Sequence, residues 1–209
     1  IYNPILKETY HSTHGAVTES KHVFLKEGME YFLSKYPTLK KISIIEVGFG
    51  TGLNAMLTLA RALEINIDIF YVTLEPFPIS TKLIKALNYQ SLFRKADWHY
   101  FETIHNTPWE AENKIAPHFT FVKSKTNLEN FTTQSKFDLV YFDAFAPRKQ
   151  PELWEVDALR HAVTPLKPLG VLVTYSAMGA FKRNLKALGM HIESIPGPPG
   201  KREMTRAIK

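Results

Sequence analysis

Cysteine does not occur in the sequence of 209 residues. Its absence excludes disulfide bonds, thiolate nucleophiles and cysteine-ligated zinc, and it favours a cytoplasmic protein. Long apolar runs are missing too, since no stretch approaches the roughly 20 residues that cross a bilayer. The N-terminal stretch IYNPILKETYHSTHG also lacks the basic and apolar regions of a secretory signal. We therefore expect a soluble protein with no membrane partner.

Patterns typical of metal sites are equally scarce. The eight histidines include no H-E-x-x-H pairing, so we expect no metal. Apolar residues make up 44% and charged residues 22% of the chain, which is ordinary for a globular protein. The length suits a single domain with a substantial core. The formal charge of +6 favours a polyanionic partner such as nucleic acid, although many soluble enzymes are equally basic.

Apolar, β-branched runs alternate with helical stretches, a pattern typical of an α/β domain built on a mostly parallel sheet. We predict strands at residues 41–47, 67–75, 118–123, 137–143 and 170–176. We predict helices over or near residues 52–64, 78–87, 108–115, 151–162 and 178–188. Residues 37–209 would then form a Rossmann-like core, and residues 1–36 an N-terminal cover that contains a helix.

The last two predicted strands, 191–195 and 203–208, are separated by PGPPGKR. This connection is too short for a parallel crossover, so we expect an antiparallel hairpin at the sheet edge. A parallel sheet that ends in such a hairpin resembles the class I S-adenosylmethionine-dependent methyltransferase fold more than a dinucleotide-binding dehydrogenase.

The stretch EVGFGTGLN places three glycines directly between the first predicted strand and the first predicted helix: Gly48, Gly50 and Gly52. Glycines here allow tight turns and let a ligand approach the backbone. The nicotinamide fingerprint G-x-G-x-x-G fails, because Leu53 stands where its last glycine belongs. The loop resembles motif I of S-adenosylmethionine-dependent enzymes, which implies cofactor contacts from its glycines, from Thr51 and from the acidic Glu46. The alternative is a turn that serves only the fold.

Two further polar residues follow predicted strands. Glu75 ends the second strand, where a carboxylate can accept hydrogen bonds from both ribose hydroxyls of a nucleotide cofactor. A solvated glutamate at a strand end is the alternative. Asn127 follows the third strand, where its amide oxygen could accept a hydrogen bond from an adenine amine. A helix N-cap is the competing interpretation.

Asp143 ends the buried strand FDLVYFD. Ligands of open α/β sheets bind beyond the carboxyl ends of the strands, so this carboxylate should face the cofactor crevice. It could hold an amine N–H, orient the lone pair and take up the proton during methyl transfer. DAFAP also resembles the acidic-then-proline motif of amino-group methyltransferases. The alternative is an aspartate that caps the following turn.

Taken together, EVGFGTGLN, DAFAPRKQPELW, LVTYSAMGAFKRNLKALGM and PGPPGKREM resemble the methyltransferase domain of the bacterial tRNA 5-methylaminomethyl-2-thiouridine biosynthesis family. The N-terminal YHSTHGAVTESKHVFL fits the same family, so the likeness covers nearly the whole chain. It implies S-adenosylmethionine as cofactor, tRNA as partner, and methylation of the exocyclic amine of 5-aminomethyl-2-thiouridine at the wobble position. In that family the residue matching Asp143 is catalytic, and the glycine loop and Glu75 match the cofactor site.

Many family members carry a fused FAD-dependent oxidoreductase that prepares this amine. The sequence ends at Lys209 without such a half, so we expect a separate enzyme or pathway to supply the aminomethyl precursor. Two other functions stay open. One is methylation of a small-molecule amine, which would need no basic residues around the site, and the other is a non-catalytic nucleotide-binding module.

Two basic pairs could contact phosphate or could be solvated loop charges. Arg148 and Lys149 follow the strand that ends at Asp143, and Lys201 and Arg202 lie in the predicted hairpin turn.

The N-terminal stretch offers four residues that could cover the cofactor: Tyr10, His11, Ser12 and Glu19. Trp154 could stack on a base, but packing behind the loop that follows Asp143 is the favoured interpretation.

Overall fold

The computed structural model describes residues 2–3, 8–9, 15–87 and 89–209. Its strands are β1 (Tyr2–Asn3), β2 (Glu8–Thr9), β3 (Lys41–Val47), β4 (Asp68–Leu74), β5 (Glu112–Ala116), β6 (Phe119–Ser124), β7 (Phe137–Phe142), β8 (Leu166–Thr174), β9 (His191–Pro196) and β10 (Glu203–Ile208). Its α-helices are α1 (Ala16–Ser20), α2 (Tyr31–Lys35), α3 (Leu53–Ile65), α4 (Thr81–Lys85), α5 (Trp98–Asn106), α6 (Val156–Val163) and α7 (Gly179–Ala187). A π-helical segment, Lys21–Glu30, joins α1 to α2. Short 3₁₀ helices cover Gln90–Leu92, Leu128–Asn130 and Pro151–Trp154.

Eight strands form one mixed sheet in the order β5-β6-β4-β3-β7-β8-β10-β9. The five strands from β6 to β8 run parallel, which their continuous apolar sequences favour because both faces of the sheet are covered. β10 pairs antiparallel with both β8 and β9, so the predicted C-terminal hairpin is confirmed. The fold class predicted from the sequence, a Rossmann-like α/β methyltransferase fold, is also confirmed.

Two apolar layers cover the sheet. On one face, α3, α5 and the helical segment 16–35 enclose a cluster that includes Phe24, Met56 and Ile104. On the other face, α6 and α7 pack on a cluster that includes Leu159 and Phe181. The predicted division between a cover, residues 1–36, and a core stays a prediction. Within the described part of the chain, every helix is too short or too polar to span a bilayer.

One predicted helix is wrong. Residues 108–115 contain the edge strand β5, which pairs antiparallel with β6 after a turn at Pro117–His118. The true helix in this region is α5, which ends just before Thr107 because the residue preceding a proline disfavours helical geometry. The connection between β5 and β6 has only two residues, which fits a hairpin and not a parallel crossover.

The parallel order places a crevice at the centre of the sheet. From β3 the chain moves to β4 on one side and returns later to β7 on the other. Such a switch point opens a gap between the loops that leave adjacent strands at their carboxyl ends. The loops after β3, β4 and β7 all meet there.

Candidate active site

A cavity of ≈ 570 Å³ occupies this crevice. Its volume is in the range of small-molecule sites. Nine of the residues proposed from the sequence line it: Glu19, Gly48, Gly50, Thr51, Glu75, Asn127, Asp143, Arg148 and Lys201. Four proposed residues do not line it: Glu46, Gly52, Lys149 and Arg202.

The glycine loop after β3 is shaped by backbone geometry that other residues would strain. Gly48 has φ +95°, and a Cβ atom there would lie 2.6 Å from the carbonyl oxygen of Asp143. Gly48 therefore lets the loop approach the end of β7 closely. Gly52 has φ +74° and starts α3 without lining the cavity, so its contribution is to the turn. Thr51 is buried and shares a hydrogen bond of 3.0 Å with the Tyr89 hydroxyl.

Glu75 is fixed between the first two loops by backbone groups. The Gly50 N–H donates to its Oε2 at 2.9 Å, and the Phe77 N–H donates to its Oε1 at 3.0 Å. Burial raises the pKa of the Glu75 carboxyl, and the two N–H donors act in the opposite direction. Each carboxylate oxygen keeps a further lone pair for a ligand donor. Glu75 thus both anchors the glycine loop and offers acceptors to the cavity.

Asn127 lies at the N-terminal boundary of the 3₁₀ helix Leu128–Asn130. Its side chain makes no capping hydrogen bond, although capping was the competing interpretation of this residue. It is exposed and lines the cavity beside Leu128 and Glu129. Its amide is therefore placed where a ligand base could meet it.

Asp143 is held by an amide side chain that sequence reasoning missed. Asn54, in the first turn of α3, donates from Nδ2 to Asp143 Oδ2 at 2.8 Å and to Glu46 Oε1 at 3.0 Å. Thr73 donates to the other Glu46 oxygen at 2.7 Å. Glu46 is fully buried and does not line the cavity. Asn54, which does line it, connects Glu46 to Asp143 by its two hydrogen bonds. This differs from the expected direct contact between Glu46 and a cofactor.

Burial raises the pKa values of both carboxyl groups above their usual range. Burial raises the pKa of Asp143 to about 7, while the Asn54 hydrogen bond opposes the rise. Burial likewise raises the pKa of Glu46 to about 8, against the hydrogen bond from Thr73. A carboxylate that lines a cavity and titrates near 7 is suited to act as a general base.

Two aromatic residues also line the cavity and were not predicted as site residues. Phe77 is 66% exposed, two positions after Glu75, which leaves its ring available to cover a bound base. Tyr175 follows β8, and its hydroxyl donates to the Ala144 carbonyl at 2.8 Å. Its place at the carboxyl end of a parallel strand was the signal in the sequence.

The basic and N-terminal residues are divided between the cavity and the surface. Arg148 is exposed at the cavity rim, and Arg202 is exposed outside it. Lys201 lines the cavity and pairs with Glu19 at 2.9 Å, so it is not the solvated loop charge that was one of its two interpretations. Tyr10, His11 and Ser12 lie outside the described residues.

Trp154 packs as predicted. It is buried against Phe142 and Phe181, and its Nε1 donates to the Phe145 carbonyl at 2.9 Å. It therefore supports the loop that follows Asp143 from behind.

Comparison with known proteins identifies the type of chemistry. Residues 90–209 match the model of a family described as S-adenosyl-L-methionine-dependent methyltransferase. The chain is 28% identical to the tRNA 5-methylaminomethyl-2-thiouridine biosynthesis bifunctional protein MnmC of Idiomarina loihiensis, over 94% of this chain and 35% of that protein. The same protein from Leptospira interrogans is 28% identical over 94% of this chain and 32% of its own length. The chain thus spans about a third of the length of the curated relatives it matches.

Solved structures agree with this result. The crystal structure of MNMC2 from Aquifex aeolicus superimposes with a TM-score of 0.76 at 26% identity, covering 97% of this chain and 64% of that chain. The magnesium protoporphyrin IX methyltransferase of Synechocystis PCC 6803, solved with bound S-adenosylmethionine, gives a TM-score of 0.56 at 14% identity, over 93% and 81% of the two chains. The second likeness supports the fold alone.

Proposed function

This chain belongs to the S-adenosyl-L-methionine-dependent methyltransferase family, and from this premise we propose that it methylates the exocyclic amine of 5-aminomethyl-2-thiouridine at the tRNA wobble position. The product would be 5-methylaminomethyl-2-thiouridine. The observation that carries the proposal is Asp143, which lines the cofactor-sized cavity at the end of β7 and is oriented by Asn54.

The residues of the cavity fit S-adenosylmethionine. The backbone of Gly48 and Gly50 leaves room for a close ligand, and the Glu75 carboxylate keeps acceptor capacity for ribose hydroxyls. Asn127 and Phe77 lie where they could bind an adenine by its amine and by its face. Together these groups suit the nucleoside part of the cofactor.

Asp143 would act on the acceptor amine. Its carboxylate can accept an N–H of the amine, aim the nitrogen lone pair and take up the proton that the ammonium form must lose. When bound, S-adenosylmethionine would supply the methyl group, with the new N–C bond formed by the amine lone pair while the C–S bond breaks and leaves its electron pair on sulfur. A pKa of about 7 allows Asp143 to receive the proton and return it to water afterwards.

The choice of tRNA as substrate is supported by the relatives and by charge. Both curated relatives are named for tRNA 5-methylaminomethyl-2-thiouridine biosynthesis. The formal charge of +6 and the exposed Arg148 at the cavity rim favour a polyanion over a small neutral acceptor.

The test is incubation of the purified protein with labelled S-adenosylmethionine and tRNA from cells that lack this modification. We expect label in 5-methylaminomethyl-2-thiouridine after nucleoside digestion and, at an early time point, at least about a hundredfold less label with the Asp143→Asn variant. Equal methylation of the free nucleoside would favour a small-molecule amine methyltransferase. Cofactor binding without any methyl transfer to aminomethyl-bearing tRNA would support a non-catalytic module and contradict the proposal.

A further inference from the structure

Three residues from separate parts of the fold meet on the side of the cavity next to Asp143. Glu19 comes from α1, Tyr175 follows β8, and Lys201 lies in the hairpin turn between β9 and β10. The Lys201 Nζ donates to Glu19 Oε1 at 2.9 Å and lies 4.0 Å from the centre of the Tyr175 ring. All three line the same cavity as Asp143.

This arrangement has the chemistry of a site for an alkylammonium group. A carboxylate supplies a charge-assisted hydrogen bond, and an aromatic face attracts the same cation from another side. The side chains are largely shielded, with exposed fractions of 18% for Glu19 and 33% for Lys201. In this structure the ammonium group of Lys201 occupies the site.

The proposed acceptor has the same head group as Lys201. A primary aminomethyl group is an alkylamine, and alkylamines such as the lysine side chain are protonated near neutral pH. It would enter the cavity as an ammonium ion that must reach Asp143. A negative charge beside Asp143 also helps it to receive a proton, and Glu19 acts in that direction on Asp143.

We propose that Glu19 and the face of Tyr175 form the recognition site for the acceptor ammonium, and that Lys201 occupies this site until the amine displaces it. The inference rests on the proposed function, because it specifies how that function selects an amine. Lys201 then serves specificity, since a neutral acceptor such as an alcohol cannot compete with the Glu19–Lys201 pair.

The test measures binding in the absence of turnover. The probe is a synthetic anticodon stem-loop RNA with 5-aminomethyl-2-thiouridine at the wobble position. A matched RNA carries a 5-hydroxymethyl group instead. Affinity for each is measured by fluorescence anisotropy with S-adenosylhomocysteine present. The wild-type protein should prefer the amine RNA by about tenfold, the effect of one hydrogen bond to a charged group.

Two variants separate recognition from structure. Glu19→Gln and Lys201→Met each break the same ion pair, so a purely structural pair predicts the same result for both. Our inference predicts opposite results. Glu19→Gln should lose the preference for the amine RNA, whereas Lys201→Met should keep it or increase it, by up to about tenfold, because the internal competitor is gone.

Two results would overturn the inference. One is an undiminished amine preference in Glu19→Gln. The other is an equal loss of affinity for both RNAs in Lys201→Met, which would make Lys201 a phosphate contact. Methylation of the amine RNA by the wild-type protein is measured in parallel. If that methylation occurs while Glu19→Gln still discriminates, only the recognition site is wrong; if it does not occur, the proposed function fails.

Discussion

One aspartate lies near the amino end of strand β7 and another directly follows its carboxyl end, and the two have different partners. Asp138, near the amino end, accepts hydrogen bonds from the Ser43 N–H at 2.7 Å and from Lys167 Nζ at 2.9 Å. Asp143, after the carboxyl end, is bonded by the neutral amide of Asn54 and lines the cavity. The first carboxylate is neutralised by a cation in direct contact, whereas the second is held in place without one.

The difference teaches how a strand end becomes a reactive site. The Lys167 ammonium bonds both oxygens of Asp138, so this carboxylate is committed to a contact within the fold. An amide orients a carboxylate without adding charge, so burial can bring its pKa close to neutrality. Residue type alone therefore does not distinguish a structural aspartate from a reactive one. Its position relative to the strand and the group that it bonds to make the distinction.

The largest expected effect comes from Asp143→Asn. This change keeps the shape and one acceptor oxygen but removes the charge and the basicity, so single-turnover methylation should fall by about 10²–10⁴. Cofactor affinity, measured by calorimetry, should change far less, because the carboxylate acts mainly on the reacting amine. Wild-type methylation by this variant would make Asp143 a turn cap.

Asp138→Asn is the matched control on the same strand. It should leave turnover unchanged and lower the free energy of unfolding by about 1.5–3 kcal/mol, through weakened hydrogen bonds to the Lys167 ammonium. Thermal and urea denaturation of both variants test the contrast. A larger loss of turnover in Asp138→Asn than in Asp143→Asn would reverse the assignment of the two residues.

Glu75 adds a third kind of partner to the comparison. Its carboxylate is bonded by backbone N–H groups instead of a cation or an amide side chain. Glu75→Gln should weaken S-adenosylmethionine binding by about 1.5–3 kcal/mol, since it removes a charged acceptor and places an NH₂ group against a backbone donor. The rate at saturating cofactor should change less than the affinity. Calorimetry that gives an unchanged affinity in a folded protein would remove Glu75 from the site.

The role of Asn54 can be tested by the pH dependence of the rate. Asp143 must be ionised to take up the proton, so the single-turnover rate should rise with pH through about 7. The Asn54 hydrogen bond lowers the pKa of Asp143, so Asn54→Ala should move this midpoint upward. Near neutral pH the rate should then fall by up to about tenfold and recover at higher pH.

Thr58→Ala is the control for this experiment. Thr58 lies one turn further along α3, is fully buried and donates to the Asn54 carbonyl, but does not line the cavity. Its removal should leave the midpoint unchanged. The same upward shift in both variants would point to general loosening of α3 instead of a specific effect on Asp143.

Sequence patterns were sufficient where the signal is local. The β3–loop–α3 unit follows from apolar β-branched residues, three glycines and a helical face, and Lys41–Val47 coincides with the predicted strand. Local signals were misread at residues 108–115, where an edge strand with polar residues resembled a helix. Edge strands bury only part of their surface, so their apolar pattern is weak.

Side-chain contacts between distant segments could not be predicted in this way. Glu19 and Lys201 are separated by 182 positions, and nothing in either stretch indicates the other. Asn54 was missed for a different reason: its two carboxylate partners meet only after β3 and β7 pair. Motifs therefore indicated individual residues such as Glu75 and Asp143, whereas the side chains that orient or pair with site residues depended on the fold.

The smallest expected effect concerns Arg202, the exposed neighbour of Lys201 in the hairpin turn. If it contacts a tRNA phosphate, Arg202→Gln should reduce the slope of log affinity against log salt by about 1, with no change in amine preference. Lys41→Gln is the control, because Lys41 is also exposed but begins β3, at the amino end of the strand and away from the cavity at its carboxyl end. Titration of tRNA at several salt concentrations gives both slopes. An equal change in the two variants would reflect net charge alone. A change confined to Arg202→Gln would place the RNA at the same end of the sheet as Asp143.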